Sequence, residues 1–411
     1  MAKDMILMMK DEPVMVINFD KGKYEIVNEK LLPFEIQNKI LPPYPEKENY
    51  TKYDIIEITK ISRKNWITVI DFLSHRVLPL TRGNAKKIYQ LFNFNQLQDD
   101  VSKAKIAIVC RAVSLQDNYW LKLEDDNKCW ADVNLRENHL SEIVAQVALH
   151  GSSLSLTGIP HTPELTSLGA YAKAWIREND GLYLHKLGAP TSNEHKNNGE
   201  PQVGTWESKI EVMVSNLLDY CNVNHLKYEA GSSTKITTGE SFYTCRCKCM
   251  TTEDVSILSG MDFTSWCNVQ NINPFKKALE IDADSIYKMW IVDYLISNRD
   301  RHGLNWGFFY NCNTMEILGC HPLYDHNNAF DIDTMLDKDR PYLYNNEMTM
   351  RQAAKEAMNY VDFYFTKEFT REDFLTDRQY KSFMERAKEL NIPVKIKNNE
   401  ELKEVTELDL E

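Results

Sequence analysis

The first third of the chain shows two kinds of hydrophobic pattern. Residues 14–27 alternate apolar and polar positions on either side of Asp20-Lys21-Gly22, which predicts a β-hairpin. Residues 55–94 carry apolar side chains at helical spacing, and a second helical stretch is predicted near residues 140–149. Between them, residues 105–123 alternate again and predict strands. This part of the chain is therefore expected to combine helices with a small sheet.

The centre of the chain continues with strands and then becomes helical. Predicted strands cover residues 172–177, 181–187, 225–229 and 242–250, and a predicted helix covers residues 206–221. From residue 282 onward the pattern is mostly helical, and its last predicted helix covers residues 373–390. Residues 307–310 and 315–318 predict a short hairpin within this part. A β-rich piece followed by a helical piece implies two lobes of one larger unit, an α+β fold.

Changes in composition predict where these units meet. Gly, Ser, Thr and Pro are concentrated in residues 151–163, which makes this segment the best candidate boundary. We therefore predict an N-terminal α/β subdomain of residues 1–155, a β-rich lobe of residues 156–255 and a helical lobe of residues 256–395. Residues 396–411 are predicted to form an acidic, solvated tail.

Composition narrows the class of protein. The 411 residues include 48 Lys and Arg against 60 Asp and Glu, a formal net charge of -12, which disfavours nonspecific nucleic-acid binding. No stretch approaches the roughly 18 apolar residues of a membrane span. The odd number of cysteines, 9, is typical of reduced thiols. We therefore expect a cytoplasmic protein that binds neither membranes nor nucleic acid directly.

The most informative motif is R-D-x-x-x-x-N, which places Asp300 five residues before Asn305. This is the spacing of a protein-kinase catalytic loop, in which the Asp orients the attacking hydroxyl and the Asn holds a metal ion on the phosphates. Asp325 follows an apolar run, where kinases carry a second metal-binding Asp. The predicted hairpin between them could bring the three side chains together. On spacing alone, a polar loop that caps a helix before a hairpin remains an equal alternative.

These segments resemble the HipA-like serine/threonine kinases, a bacterial family. The motif N-R-D-R-H-x-x-N-x-G followed by P-L-Y-D is similar to the catalytic and metal-binding segments of that family, and T-S-L-G-A-Y-A-K at residues 166–173 is similar to its phosphate-covering loop. The resemblance covers about residues 160–390. It implies a two-lobed, protein-kinase-like fold with an additional N-terminal subdomain, with ATP and Mg²⁺ bound between the lobes.

The resemblance also implies roles for individual residues. Asp300 would be the catalytic base, Asn305 and Asp325 the Mg²⁺ ligands, and Lys186 the strand lysine that contacts the ATP phosphates during catalysis. Glu211 would be the helix partner of Lys186. Glu207, one turn earlier on the same predicted helix, is an alternative partner.

The phosphate-covering loop contributes further candidates. Gly169, Ala170 and Lys173 would bind the nucleotide phosphates. In HipA-like kinases a hydroxyl residue three positions before this glycine becomes autophosphorylated and switches the enzyme off. Thr166 occupies that position, with Ser167 as the neighbouring candidate.

Other features set limits on the resemblance. His326 and Asn327 follow Asp325 where ordinary eukaryotic-type kinases carry Phe-Gly, and no A-P-E segment is present. The alternating Cys245, Cys247 and Cys249 would share one face of a strand, and a buried strand is favoured over a zinc site because no second cysteine pair exists. The segments 72–82 and 114–120 resemble motifs of HipA-like relatives, and packing against the ATP-binding lobe is their expected role.

The predicted function is therefore an ATP- and Mg²⁺-dependent protein serine/threonine kinase of the HipA-like toxin type. The family resemblance implies a protein substrate, with translation enzymes among the family's targets, and a small DNA-binding antitoxin as partner. One alternative is a kinase-fold interaction protein that binds nucleotide or an antitoxin without transferring phosphate. Another is a small-molecule or lipid kinase of related fold.

Overall fold

The computed structural model describes residues 4–92, 94, 99–155, 169–188, 206–330, 341–342 and 345–394. Strands and helices are both abundant, which confirms the mixed α and β structure predicted from the sequence. The strands are β1 Met5–Met9, β2 Glu12–Asn18, β3 Lys23–Ile26, β4 Tyr119–Leu123, β5 Lys173–Glu178, β6 Gly181–Lys186, β7 Tyr228–Thr234, β8 Ser241–Lys248, β9 Val255–Ser259, β10 Gly307–Asn311, β11 Ile317–Cys320, β12 Pro341–Tyr342 and β13 Asn345–Thr349. The helices are α1 Lys52–Ser74, α2 Ala85–Leu91, α3 Asp100–Val109, α4 Trp130–Val133, α5 Glu142–His150, α6 Trp206–Leu218, α7 Gly260–Val269, α8 Pro274–Leu295, α9 Met350–Ala357 and α10 Asp377–Glu389.

The N-terminal sheet has the strand order β3-β2-β1-β4, and all of its pairs are antiparallel. β2 and β3 form the hairpin predicted for residues 14–27, and Gly22 in its turn has a φ of +60°, a conformation that glycine adopts without a steric penalty. α1 begins with a capping box in which Thr51 and Asp54 satisfy each other's backbone N–H groups. The helix then packs against α3 beside this sheet.

The strand predicted over residues 105–123 is wrong in its first half. Residues up to Val109 belong to α3, and only β4 is a strand. The helix begins at the side chain of Asp99, which accepts a hydrogen bond from the backbone N–H of Ser102. Three residues of this helix are buried, namely Ala104, Ile106 and Ala107. A short apolar run of this kind fits both a strand and a helix, and here packing against α1 selects the helix.

The second sheet has the order β5-β6-β8-β7, and α6 packs against β7 and β8. These elements match the predicted strands and helix, although β7 begins at Tyr228, later than predicted. Cys245 and Cys247 on β8 are buried, as expected for a buried strand.

The C-terminal half contains helices α7 to α10 and a three-stranded sheet of order β11-β10-β9. β10 and β11 confirm the predicted hairpin, whereas β9 and α7 were not predicted. β9 lies so close to β10 that a Cβ on Gly307 would stand 2.2 Å from the carbonyl oxygen of Leu258. Glycine is therefore required at the first position after Trp306. Among the described residues, no helix combines the length and the apolar character needed to cross a bilayer.

The N-terminal residues are joined to the rest of the chain by buried contacts. Arg76, just after α1, forms a bidentate ion pair with Asp117, with both N···O distances 2.8 Å. Arg76 also donates to the carbonyl oxygens of Ala112 and Tyr119. The backbone N–H of Ile257 in β9 donates to the carbonyl oxygen of Gln116 at 2.9 Å. The buried apolar core is continuous from β1 to the residues after α10.

Arg76→Ala is expected to lower the free energy of unfolding by about 3–5 kcal/mol, because it leaves the buried carboxylate of Asp117 without its counter-charge. Urea denaturation of the purified protein measures the change. Lys60→Ala is the matched control, since Lys60 forms an exposed pair with Glu57 and its loss should change stability by about 1 kcal/mol or less. Equal effects of the two substitutions would contradict the structural role of Arg76.

Candidate active site

A cleft of about 470 Å³ collects most of the residues predicted from the kinase-like motifs. The predicted site residues that line this cleft are Gly169, Ala170, Lys173, Lys186, Asp300, Asn305 and Asp325. Glu211 does not line the cleft but lies directly behind it, with its side chain fully buried. Thr166 and Ser167 lie outside the described residues.

Lys186, at the end of β6, is the centre of the site. Its Nζ lies 2.8 Å from Oδ1 of Asp325 and 3.5 Å from Oε2 of Glu211, and it donates to the hydroxyl of Tyr228 at 2.9 Å. Only 6% of the lysine side chain is exposed. The ammonium group therefore connects β6, α6 and the segment after β11.

Burial and charge act against each other in this cluster. Burial favours the neutral form of each group, but the attraction between Lys186 and the two carboxylates outweighs it at Lys186 and Asp325. The pKa of Lys186 is consequently raised well above its usual value, and the pKa of Asp325 is held well below its own. The pKa of Glu211 is raised, chiefly because the side chain is completely buried.

The structure places Glu211, and not Glu207, beside the lysine. Oε1 of Glu211 accepts a hydrogen bond from the backbone N–H of His326 at 2.8 Å, while Oε2 faces Lys186. Glu207 is only half-buried, one turn earlier on α6. The position of Glu211 thus allows one carboxylate to connect the strand lysine with the backbone next to Asp325.

The loop that carries Asp300 and Asn305 is held from inside by Arg301. Its guanidinium pairs with the buried Asp293 at 2.9 Å and donates to the carbonyl oxygens of Asn305 at 2.6 Å and Tyr324 at 2.8 Å. The amide of Asn305 donates to the backbone carbonyl of Asp300 at 2.8 Å. The loop and the segment before Asp325 are therefore fixed to each other through one buried side chain.

Asp300 points one carboxylate oxygen at a neighbouring amide. Its Oδ2 accepts a hydrogen bond from Nδ2 of Asn328 at 2.8 Å, and Oδ1 of Asn328 accepts from the hydroxyl of Tyr171 at 3.3 Å. The other oxygen, Oδ1 of Asp300, lies 3.9 Å from Nε2 of His302, beyond hydrogen-bonding distance. The side chain of Asp300 is 42% exposed, so an incoming group can reach it from the cleft.

The segment that contains Gly169 covers Lys173. Gly169 has a φ of +102°, and a Cβ there would meet Nζ of Lys173 at 2.5 Å. Lys173 is buried, and burial together with the charges of Arg82 and Lys186 lowers its pKa to about 7. The backbone N–H of Gly83 donates to the carbonyl oxygen of Ala170 at 2.8 Å. The described part of the predicted phosphate-covering segment, residues 169–173, is thus held by a residue that follows α1.

Residues from the N-terminal part also line the cleft. Leu115, Gln116 and Asp117 contribute to its wall, next to the segment that follows β8. The guanidinium of Arg136 holds that segment by donating to the carbonyl oxygen of Thr251 at 3.1 Å and to its hydroxyl at 2.9 Å. Residues 114–120 were recognisable as a motif from the sequence, but without any chemistry, and no sequence pattern indicated Arg136.

The donor atoms of the site fit a hard divalent cation. Asp325 offers a carboxylate. The side-chain nitrogen of Asn305 donates to the backbone carbonyl oxygen of Asp300, so the side-chain oxygen of Asn305 points away from that carbonyl group. Mg²⁺ prefers oxygen ligands, and it commonly takes one or two protein side chains while phosphates and water complete its shell. Within the described ranges, no group of three or more His, Cys, Asp and Glu side chains could hold a metal ion. The residues present therefore fit Mg²⁺ bound together with phosphate, and not an all-protein metal cage.

Neither the family models nor the curated proteins contain a match to this chain. Among solved structures, the chain is similar to the proinflammatory kinase CtkA of Helicobacter pylori, with 14% identity and a TM-score of 0.36, over 54% of this chain and 92% of that one. It is also similar to a structure of the Shewanella oneidensis MR-1 toxin-antitoxin system HipA, HipB and operator DNA, with 11% identity and a TM-score of 0.38, over 77% of this chain and 83% of that one.

Proposed function

We propose that this chain is an ATP- and Mg²⁺-dependent protein serine/threonine kinase of the HipA-like type. The observation that carries the proposal is the buried contact of Lys186 with Asp325 and Glu211, on the wall of a cleft that Asp300 and Asn305 also line. Kinase chemistry needs these groups together, because a lysine and a metal-binding Asp must hold the phosphates while a second Asp meets the acceptor hydroxyl.

The side chains would divide the reaction between them. Lys186 and Lys173 bind and orient the triphosphate, and the acceptor hydroxyl approaches Oδ1 of Asp300. The hydroxyl oxygen forms a bond to the γ-phosphorus, the bond from phosphorus to the β-γ bridging oxygen breaks, and ADP leaves with that electron pair. The hydroxyl proton passes to Asp300. Mg²⁺, held by Asp325 and Asn305, would supply charge neutralisation on the phosphates.

The motif resemblance extends the proposal to biology. A protein substrate among translation-related enzymes, a small DNA-binding antitoxin as partner and regulation by phosphate on Thr166 or Ser167 are parts of this proposal. A phosphate on that loop would bring about two negative charges close to the place where the ATP phosphates bind, so repulsion would oppose nucleotide entry.

Asp300→Asn is expected to lower the rate of phosphoryl transfer about a hundredfold or more while leaving MgATP affinity nearly unchanged, since it removes the proton acceptor and not the phosphate-binding lysines. The measurement uses γ-labelled ATP, the purified protein and a cell lysate, and follows label into protein, lipid and small molecules. Label in protein that depends on Asp300 supports the proposal. Nucleotide binding without transfer would instead indicate an interaction protein, and label only in lipid or small molecules would indicate a different class of kinase.

Asp325→Ala is expected to weaken MgATP binding by about 10–100-fold, because one of two protein ligands of the metal is lost. Calorimetric titration with ATP at several Mg²⁺ concentrations measures both the affinity and its dependence on Mg²⁺. Asp254→Ala is the control, since Asp254 pairs with Lys10 on the surface. An unchanged Mg²⁺ dependence in Asp325→Ala would make Asp325 a structural acid only.

The affinity for MgATP is expected to fall as the pH rises above about 7. The pKa of Lys173 is lowered to about 7 by burial and by neighbouring positive charges. A bound polyphosphate favours the protonated lysine, so binding should take up a proton, and this advantage is lost as pH rises through the pKa of the free protein. Calorimetry in buffers of different ionisation enthalpy measures the uptake. Lys173→Met should bind more weakly at pH 6.5 and lose proton uptake, and a parent protein without uptake would contradict the prediction.

A further inference from the structure

Asn328, three residues after Asp325, is placed between two parts of the candidate site. Its amide nitrogen donates to Oδ2 of Asp300 at 2.8 Å, and its amide oxygen accepts from the hydroxyl of Tyr171 at 3.3 Å. Asp300 belongs to the loop before β10, whereas Tyr171 belongs to the segment that contains Gly169. One amide therefore links the proposed base with the proposed phosphate-covering segment.

The chemistry of the three groups fixes the direction of these hydrogen bonds. An ionised carboxylate only accepts, so the NH₂ group of Asn328 must face Asp300. The amide oxygen must then face the hydroxyl of Tyr171, which is a hydrogen-bond donor when protonated. Burial raises the pKa of Tyr171 to about 12, which favours this protonated form further. The rotamer of Asn328 is consequently determined from both sides.

This contact also determines which carboxylate oxygen of Asp300 is available. With Oδ2 held by Asn328, rotation of the carboxylate is restricted, and Oδ1 is left without a hydrogen bond from any of the described residues. A proton acceptor that must meet an incoming hydroxyl gains rate from such restriction, because less orientational freedom is lost at the moment of reaction.

We propose that Asn328 is a positioning residue that orients Asp300 for the acceptor hydroxyl, with Tyr171 fixing the orientation of Asn328. This proposal rests on the kinase function proposed above. Asn328 does not touch the acceptor in this scheme, and the proton still passes from the hydroxyl to Oδ1 of Asp300. The expected signature is a loss in kcat without a loss in nucleotide affinity.

The test is a double-mutant cycle on phosphoryl transfer, measured with γ-labelled ATP and the purified full chain. Asn328→Ala should lower kcat about tenfold with KM for ATP and the calorimetric MgATP affinity unchanged. In the Asp300→Asn background, the same substitution should change the residual rate by less than about twofold, because a residue that acts only through Asp300 has nothing left to position.

Two further variants guard against a general loss of structure. Tyr171→Phe removes a single hydroxyl and should lower kcat by about two- to threefold, again only when Asp300 is present. Asn313→Ala is the matched control, since Asn313 also donates its amide to a carboxylate, Asp254, and accepts from Lys10, but on the surface away from the cleft. Its kcat should equal that of the parent.

The outcomes separate the two proposals. If the parent protein transferred phosphate no faster than Asp300→Asn, the kinase function would be rejected and with it the role of Asn328. An active parent in which Asn328→Ala and Tyr171→Phe leave kcat unchanged would overturn only the positioning role. The same would follow if Asn328→Ala lowered the rate equally in both backgrounds, because this pattern indicates a contribution independent of Asp300.

Discussion

The cleft depends on one buried ionic contact, in which Lys186 faces two carboxylates. Nζ of Lys186 lies 2.8 Å from Oδ1 of Asp325 and 3.5 Å from Oε2 of Glu211, and Glu211 has no exposed surface. Charged groups lose their hydration when they are buried, and this cost largely cancels the attraction between them. The net contribution of such a cluster to the stability of the fold is therefore small. The effect of this cluster is on geometry. Strand β6, helix α6 and Asp325 can come together only in the arrangement that pairs these charges. The cluster therefore defines the geometry of the cleft wall while contributing little to the stability of the fold.

The same contact explains how Asp325 keeps an unusual backbone conformation. Its φ is +60°, in the left-handed region that residues with a Cβ adopt uncommonly, although Asp does so more often than most. On one side, Arg301 binds the carbonyl oxygen of Tyr324, and on the other, Glu211 accepts from the N–H of His326. Both peptide groups next to Asp325 are thus held by buried charged side chains. The unusual backbone conformation, the buried lysine and the loop that carries Asp300 and Asn305 belong to one connected arrangement.

Much of this arrangement could be predicted from short motifs, since Asp300, Asn305 and Asp325 are fixed by spacing within one loop and one hairpin. The motif resemblance indicated Glu211 as the partner of Lys186 but left Glu207 as an alternative, because both lie on α6 and only the packing of the helix determines which one is buried. The incorrect prediction of a strand before residue 110 has a similar cause. A short apolar run fits the spacing of both a strand and a helix, and tertiary contacts determine which of the two forms. Asn328 was not identified because its role depends on Tyr171, more than 150 residues away in the sequence.

The N-terminal residues are a part of the cleft and do not merely pack beside it. Arg136 binds both the carbonyl oxygen and the hydroxyl of Thr251, and the carbonyl oxygen of Leu115 accepts from the same hydroxyl. A lining segment whose polar backbone is bound this way would lose its partners if residues before 137 were removed, and buried polar groups without partners are unfavourable. Another lining residue shows the same dependence, because the N–H of Gly83 holds the carbonyl oxygen of Ala170. The residues that carry the kinase-like motifs therefore need the N-terminal residues to form a complete cleft. A motif that can be recognised on its own consequently indicates only part of the candidate site.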